Sequence, residues 1–223
     1  EISGIAFLND QTETFYAVND EEGKIYHFSF TGNDYPFSKF SGKGDYEDLA
    51  ILNNNRIVVL KSDGSLYVFP TVAANTKEIT TTTDEFPKFL PKGEYEGIAA
   101  QENIVFVLCK ECPSDKKKKQ VTIYEIEFIE GTTPKLIGSF IADLSSLKKK
   151  QKFNPSCLAK NPRTKEWFIL SAADQLLVVM DEAWKLKDSY PLHPSVFRQP
   201  EGMAFSPNGD LYISNEAKGR TAN

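Results

Sequence analysis

The sequence predicts an all-β fold, a β-propeller of about five four-stranded blades around a central channel, with six blades as the alternative. Three observations carry this. A short phrase recurs as Ser3-Gly4-Ile5-Ala6, Glu47-Asp48-Leu49-Ala50, Glu96-Gly97-Ile98-Ala99, Ser156-Cys157-Leu158-Ala159 and Glu201-Gly202-Met203-Ala204. The phrases start 44, 49, 60 and 45 residues apart, close to the ~40–50 residue period of propeller blades. Each is followed by a β-branched or aromatic run bounded by Asn, Asp and Gly, which is the pattern of a buried strand ending in a turn.

Taken in order, the runs are Phe15–Val18, Arg56–Leu60, Val105–Leu108, Trp167–Leu170 and Leu211–Ser214. In the first two repeats a tight turn ending in Gly23 or Gly64 leads into a third strand, Ile25–Phe28 or Leu66–Phe69. Glycine suits this place because it takes the positive φ that a tight hairpin demands. The third repeat stretches the hairpin through Cys112–Asp115 and a lysine run before Val121–Ile126, and the fourth resumes with Leu176–Met180. Fourth strands are expected around Ser38–Phe40 and Ile137–Phe140. Four antiparallel strands repeated radially make propeller blades. The last unit lacks its outer strands, and the sequence reads as a single domain, residues 1–223, trimmed at both ends.

With 223 residues, 40% hydrophobic and 12% aromatic, the chain can bury a sizeable core within one all-β domain. Its 26 basic and 31 acidic residues give a net charge of −5, so nucleic acid is not an expected partner. No apolar stretch approaches the ~18 residues needed to span a bilayer. Contact with a membrane is expected only through an N-terminal anchor removed with the trimming.

In an antiparallel pair the start of one strand lies beside the end of the next. Each hairpin therefore sends two positions to the same end of the channel: Ser3 with Asp20, Glu47 with Lys61, Glu96 with Lys110, Ser156 with Ser171, and Glu201 with Glu216. All ten are polar among apolar neighbours, beyond what strand packing requires. Five acids against two lysines leave an excess of three negative charges, and crowded carboxylates either raise their pKa values or take up a cation. Asp20, Glu47, Glu96, Glu201 and Glu216 are the expected ligands of a metal, with Ca2+ the hard cation that such oxygens suit. Ser3, Lys61, Lys110, Ser156 and Ser171 complete the expected ligand-binding rim. The alternative is that Glu47–Lys61 and Glu96–Lys110 are structural ion pairs and the other acids are solvated. Asp45 and Glu94 either widen the acidic rim or are ordinary loop acids, and the second reading is preferred.

Cys109 and Cys112 have metal or redox spacing, but there is no second such pair and the chain has only His27 and His193. A free strand thiol or a local disulfide accounts for them. Lys116–Lys119 and Lys148–Lys150 read as solvated connections. No nucleophile elbow or phosphate-cradling loop is present, and Ser156 and Ser171 lack a histidine in the repeat register.

The phrases Glu1–Ala6 with Ala17–Gly23, Gly44–Ala50, Tyr95–Ala99 and Gln199–Ala204 resemble the bacterial SdiA-regulated family of propellers along nearly the whole chain. Asp48, where the family tends to glycine, and Cys157 depart from the pattern. The resemblance implies an exported propeller, periplasmic or anchored at the cell envelope, without a settled activity. The chain is also distantly similar to propellers with calcium-dependent lactonase, phytase or esterase-like activity. The leading expectation is a propeller that binds a small molecule or protein at an acidic channel mouth, with calcium as its ion. The alternatives are a calcium-dependent hydrolase, in which an axial ion polarises an ester or phosphoester, and an interaction module that uses a blade face or the lysine-rich loops.

Overall fold

The computed structural model describes residues 2–8, 11–32, 34–115, 119–147 and 153–215. These form an all-β propeller. Blade one consists of β1 (Ile2–Phe7), β2 (Thr14–Asn19), β3 (Lys24–Ser29) and β4 (Phe37–Lys39). Blade two comprises β5 (Tyr46–Ile51), β6 (Arg56–Lys61), β7 (Leu66–Pro70) and β8 (Asp84–Phe86). Blade three follows with β9 (Glu94–Gln101), β10 (Ile104–Glu111), β11 (Gln120–Glu127) and β12 (Lys135–Asp143). Blade four contains β13 (Cys157–Lys160), β14 (Trp167–Ser171), β15 (Leu176–Met180) and β16 (Leu186–Pro191). A fifth sheet holds β17 (Pro200–Phe205) and β18 (Leu211–Asn215). Every pairing within a sheet is antiparallel between consecutive strands.

The inner strands β1, β5, β9, β13 and β17 contact one another in cyclic order, β17 lying between β13 and β1. The fourth-strand expectations fall on β4 and β12. Lys116–Lys118 and Lys148–Lys150 lie outside the described residues, while Lys119 donates from Nζ to the Leu147 carbonyl at 3.0 Å.

Apolar side chains on the faces of neighbouring blades fill the wedges between them, as the alternation of a pleated strand requires. Between blades one and two, Phe40 meets Tyr46 at 5.0 Å and Phe69 at 5.4 Å. Between blades three and four, Trp167 stacks on Trp184 at 4.4 Å and packs edge-on against Phe106 at 4.6 Å. Such ring pairs add to the area they bury.

At the axis the recurring phrase has a packing role. Its second residue sits where the inner strands converge. A Cβ added at Gly4 would lie 2.6 Å from Asp48 Cα, one at Gly97 would lie 2.7 Å from the Leu158 nitrogen, and one at Gly202 would lie 2.7 Å from the Ser3 oxygen. The two blades without this glycine use the space that the others leave. Asp48 is fully buried and accepts from the amides of Leu49 at 2.8 Å and Ile98 at 3.0 Å. Cys157, a buried free thiol, points its Sγ at Asp48 Oδ2, 3.7 Å away, and at the Met203 carbonyl, 3.9 Å away. Burial pushes the Asp48 carboxyl well above the usual range despite its two amide donors, and burial followed by the Asp48 charge pushes the Cys157 thiol up. The two departures from glycine are therefore an axial plug that touches all five blades.

Substituting Gly97 by Ala forces a methyl into backbone of the adjacent blade, and we expect a loss of about 1–3 kcal/mol of stability in urea denaturation. Gly42→Ala, where an added Cβ meets nothing within 4 Å, is expected to stay within ~0.5 kcal/mol of the parent.

Candidate functional site

The mouth of the channel is built by β-bulges. In blade two Tyr46 pairs with Lys61 and Asp48 with Leu60, so Glu47 is the extra residue on β5. In blade three Leu108 pairs with Gly97 and Cys109 with Tyr95, which makes Glu96 the extra residue on β9. In the fifth sheet Pro200 pairs with Asn215 and Gly202 with Ser214, leaving Glu201 as the extra residue on β17. Blade one is irregular between Ile2 and Ile5, across Ser3. A bulge adds a residue that pairs with nothing across the ladder and turns its side chain away from the sheet's regular alternation. Here it aims Glu47, Glu96 and Glu201 at the axis.

A buried tyrosine anchors the two central acids. Tyr46 and Tyr95, each just before a bulged glutamate, are at most 1% exposed. Their hydroxyls donate to the carbonyls of Gly42 at 3.1 Å and Pro91 at 2.6 Å.

The result is a small polar cleft of about 240 Å³ lined by Ser3, Asp20, Asp45, Glu47, Glu96, Lys110, Ser156, Gln199 and Glu201. All five sheets contribute. Ser156 receives the Ala172 amide on Oγ at 3.1 Å, and Gln199 donates from Nε2 to Glu201 at 2.7 Å. Asp45 accepts from Ser62 Oγ. It lines the mouth rather than behaving as an ordinary loop acid, and Gln199 was not legible as a site residue because it lies outside the repeated phrase.

Two of the expected rim residues lie elsewhere. Because Glu47 is bulged out, Lys61 pairs across the ladder with Tyr46, and its ammonium goes to Asp63 at 3.8 Å instead of to Glu47. Ser171 is wholly buried and donates from Oγ to Asp174 at 2.9 Å. Glu216 lies outside the described residues. Glu94 borders the site through Lys110, whose Nζ it meets at 3.0 Å.

Burial, reinforced by crowding, sets the electrostatics. Burial, then the charges of Glu96, Asp45 and Asp20, push the Glu47 carboxyl up to about 10, with Lys110 acting weakly against them. Glu96 is also raised, chiefly by burial, although its ion pair with Lys110 opposes the rise, and it shares a hydrogen bond with Glu47. Burial alone would lower the Lys110 ammonium, but its bonds to Glu96 and Glu94 outweigh burial and raise it. Glu47 thus holds its proton well above the usual carboxylate range, beside the Lys110 ammonium.

Among the described residues, no group of three or more His, Cys, Asp or Glu side chains is arranged to hold a metal ion. The cleft residues include no histidine: His27 lies on β3, and the exposed His193 shares a hydrogen bond with Ser195 Oγ. Cys109 and Cys112 form a disulfide, so the alternative of a free strand thiol is set aside for them.

A family model described as SdiA-regulated matches residues 1–218. No curated protein matches the chain. Among solved structures, a chain of a nidogen/laminin complex aligns with a TM-score of 0.60 at 13% identity, over 96% of this chain and 72% of that one. A luciferin-regenerating enzyme aligns with a TM-score of 0.57 at 13% identity, over 96% of this chain and 83% of that one. A streptogramin B lyase aligns with a TM-score of 0.52 at 14% identity, over 95% of this chain and 61% of that one. At such identities the likeness is one of fold.

Glu47 gives this site a measurable pH signature. A carboxyl whose folded-state pKa is raised stabilises the protein fully below its unfolded value of 4.5 and loses that contribution as pH climbs toward about 10. Glu47→Gln removes the loss. The variant is expected to melt close to the parent at pH 5 and several degrees above it at pH 8, where each kcal/mol is worth about 2–4 °C. Melting curves followed by circular dichroism across that range check it.

Proposed function

The chain belongs to the SdiA-regulated family, and on that premise we propose that it is a binding propeller whose acidic channel mouth takes up a small cation, Ca2+ first among them. The observation that carries this is the gathering of Asp20, Asp45, Glu47, Glu96 and Glu201 from four sheets into one cleft, with Glu47 pushed up to about 10. A carboxyl whose proton is held by burial and by neighbouring carboxylates is poised to exchange it for a cation. The carboxyl oxygens, the Ser3 and Ser156 hydroxyls and the Gln199 amide are hard donors of the kind calcium prefers. Uptake requires that Lys110 yield its place between Glu94 and Glu96 and that Glu47 and Glu96 release the proton they share.

The protein works outside the reducing cytoplasm in this reading, in the periplasm or anchored at the cell envelope. The buried Cys109–Cys112 disulfide supports that placement, since such bonds persist where the surroundings are oxidising. A ligand of the propeller, a small molecule or another protein, would meet the cation at the mouth.

Calorimetric titration with Ca2+ at pH 7.5 tests the reading. Saturable binding is expected with a dissociation constant of roughly 10⁻⁴ to 10⁻³ M, the range of extracellular calcium modules. The heat should depend on the ionisation enthalpy of the buffer because protons leave as calcium enters, and Glu47→Gln combined with Glu96→Gln should abolish it. Identical heats from the parent and the double variant would remove the cation from the mouth.

A further inference from the structure

We propose that the cleft beyond the axial plug, on the side away from the acidic mouth, is a second binding site, which takes a small molecule with an apolar body and a single carboxylate held by the Lys160 ammonium. This cleft encloses about 460 Å³ and is walled by all five sheets, a volume within the range of small-molecule pockets. Each inner strand brings three consecutive places of its phrase to the wall: an aliphatic residue, the alanine, and the residue after it. The ladders give the same correspondence. Phe7, Ile51, Ala100, Lys160 and Phe205 pair with Phe15, Ile57, Val105, Trp167 and Leu211, each near the start of its second strand.

Two independent features equip the cleft for a ligand. The first is its open volume. Alanine stands at all five middle places, and its methyl leaves space that a leucine or isoleucine would fill, so the walls are apolar but lack contacts across the axis. The second is charge. The last of the three places is apolar in four phrases and is Lys160 in blade four. Among the described residues Lys160 is the one cation in the lining, and no carboxylate lines the cleft.

Lys160 is held in place without a counter-ion. Its Nζ donates to Gln101 Oε1 at 2.6 Å and lies 4.6 Å from the centre of the Trp167 ring. It enters none of the ion pairs among the described residues. Burial lowers its pKa, with Glu182 opposing from a distance and Lys165 reinforcing. An amide oxygen and a ring face orient the ammonium but leave its charge unmatched, and beside apolar walls a carboxylate is attracted more strongly than in open water. One ammonium matches one negative charge, which favours a monoanion over a phosphate dianion. The two ends of the channel therefore select opposite charges: cations at the acids, organic anions at the lysine.

The test uses protein labelled with ¹³C in its alanine methyls, octanoate as the probe and 1-octanol as its uncharged match. Octanoate is expected to shift Ala50, Ala99 and Ala159, which line this cleft, with a dissociation constant of roughly 10⁻⁴ to 10⁻³ M. Octanol should bind there about fivefold or more weakly, and Lys160→Met should bring octanoate down to the level of octanol while leaving octanol unchanged. The unchanged octanol reading shows that the variant keeps its cleft. Absence of shifts at those three alanines, equal binding of octanoate and octanol to the parent, or indifference of octanoate to Lys160→Met each overturns the proposal. So do shifts confined to Ala204, which also borders the apolar gap walled by Phe28, Tyr35 and Tyr212. Failure of calcium to bind the mouth sinks the function proposed above and leaves these readings unaffected.

Discussion

Inner strands that meet around an axis have room there for very little. In this propeller the constraint falls on the second residue of each repeated phrase, where Gly4, Gly97 and Gly202 have backbone of the adjacent blade within a Cβ's reach. The volume they give up is taken by Asp48 and Cys157. Asp48 is bonded to the amides of Leu49 and Ile98, with Cys157 leaning on it. Burying a carboxyl is costly unless its oxygens are satisfied, and here two amides and a thiol do that. Along the inner strands the plug lies between the acidic first residues of the phrases and their alanines. Beyond it the Ala of each phrase, from Ala6 to Ala204, lines a wider cleft of about 460 Å³ among Ile5, Leu49, Ile98, Leu158 and Met203.

The mouth on the other side depends on the same tight axis. Glu47, Glu96 and Glu201 reach the axis because the bulges of their strands release them from the ladder, whereas Ser156 lies just ahead of β13. Tyr46 and Tyr95 hold the neighbouring backbone in place. Gathering acids this way works against stability, since each carboxyl raises the others' proton affinity. Preserving such a cluster makes physical sense where something is to be bound, and perturbed groups in a cleft are a common mark of a functional site. Lys110, the one cation in the cleft lining among the described residues, moderates that repulsion.

The repeat, its period and the strand-forming runs between turns were readable from the chain, because a propeller blade is a local object whose strands pair with their sequence neighbours. The convergence of Ser3, Asp20, Glu47, Glu96, Ser156 and Glu201 on one mouth could likewise be inferred from antiparallel geometry. What that geometry could not give was register. Lys61 was expected beside Glu47 because a regular hairpin places it there, but a single extra residue on β5 moves the glutamate out of the ladder. In blade three a second extra residue brings Lys110 back to Glu96. Ser171 fails for a related reason: it ends β14 turned into the interior, onto Asp174.

By itself, then, the sequence determined the architecture and the chemical character of the channel mouth, since periodic local pattern and residue type are written in one dimension. Tertiary structure alone decided which lysine meets the acids, that Cys109 and Cys112 are joined, and that the two departures from glycine form a plug. Each of these depends on whether backbones from different blades or strands approach to within a few ångströms, and that distance is set by bulges and by packing at the axis.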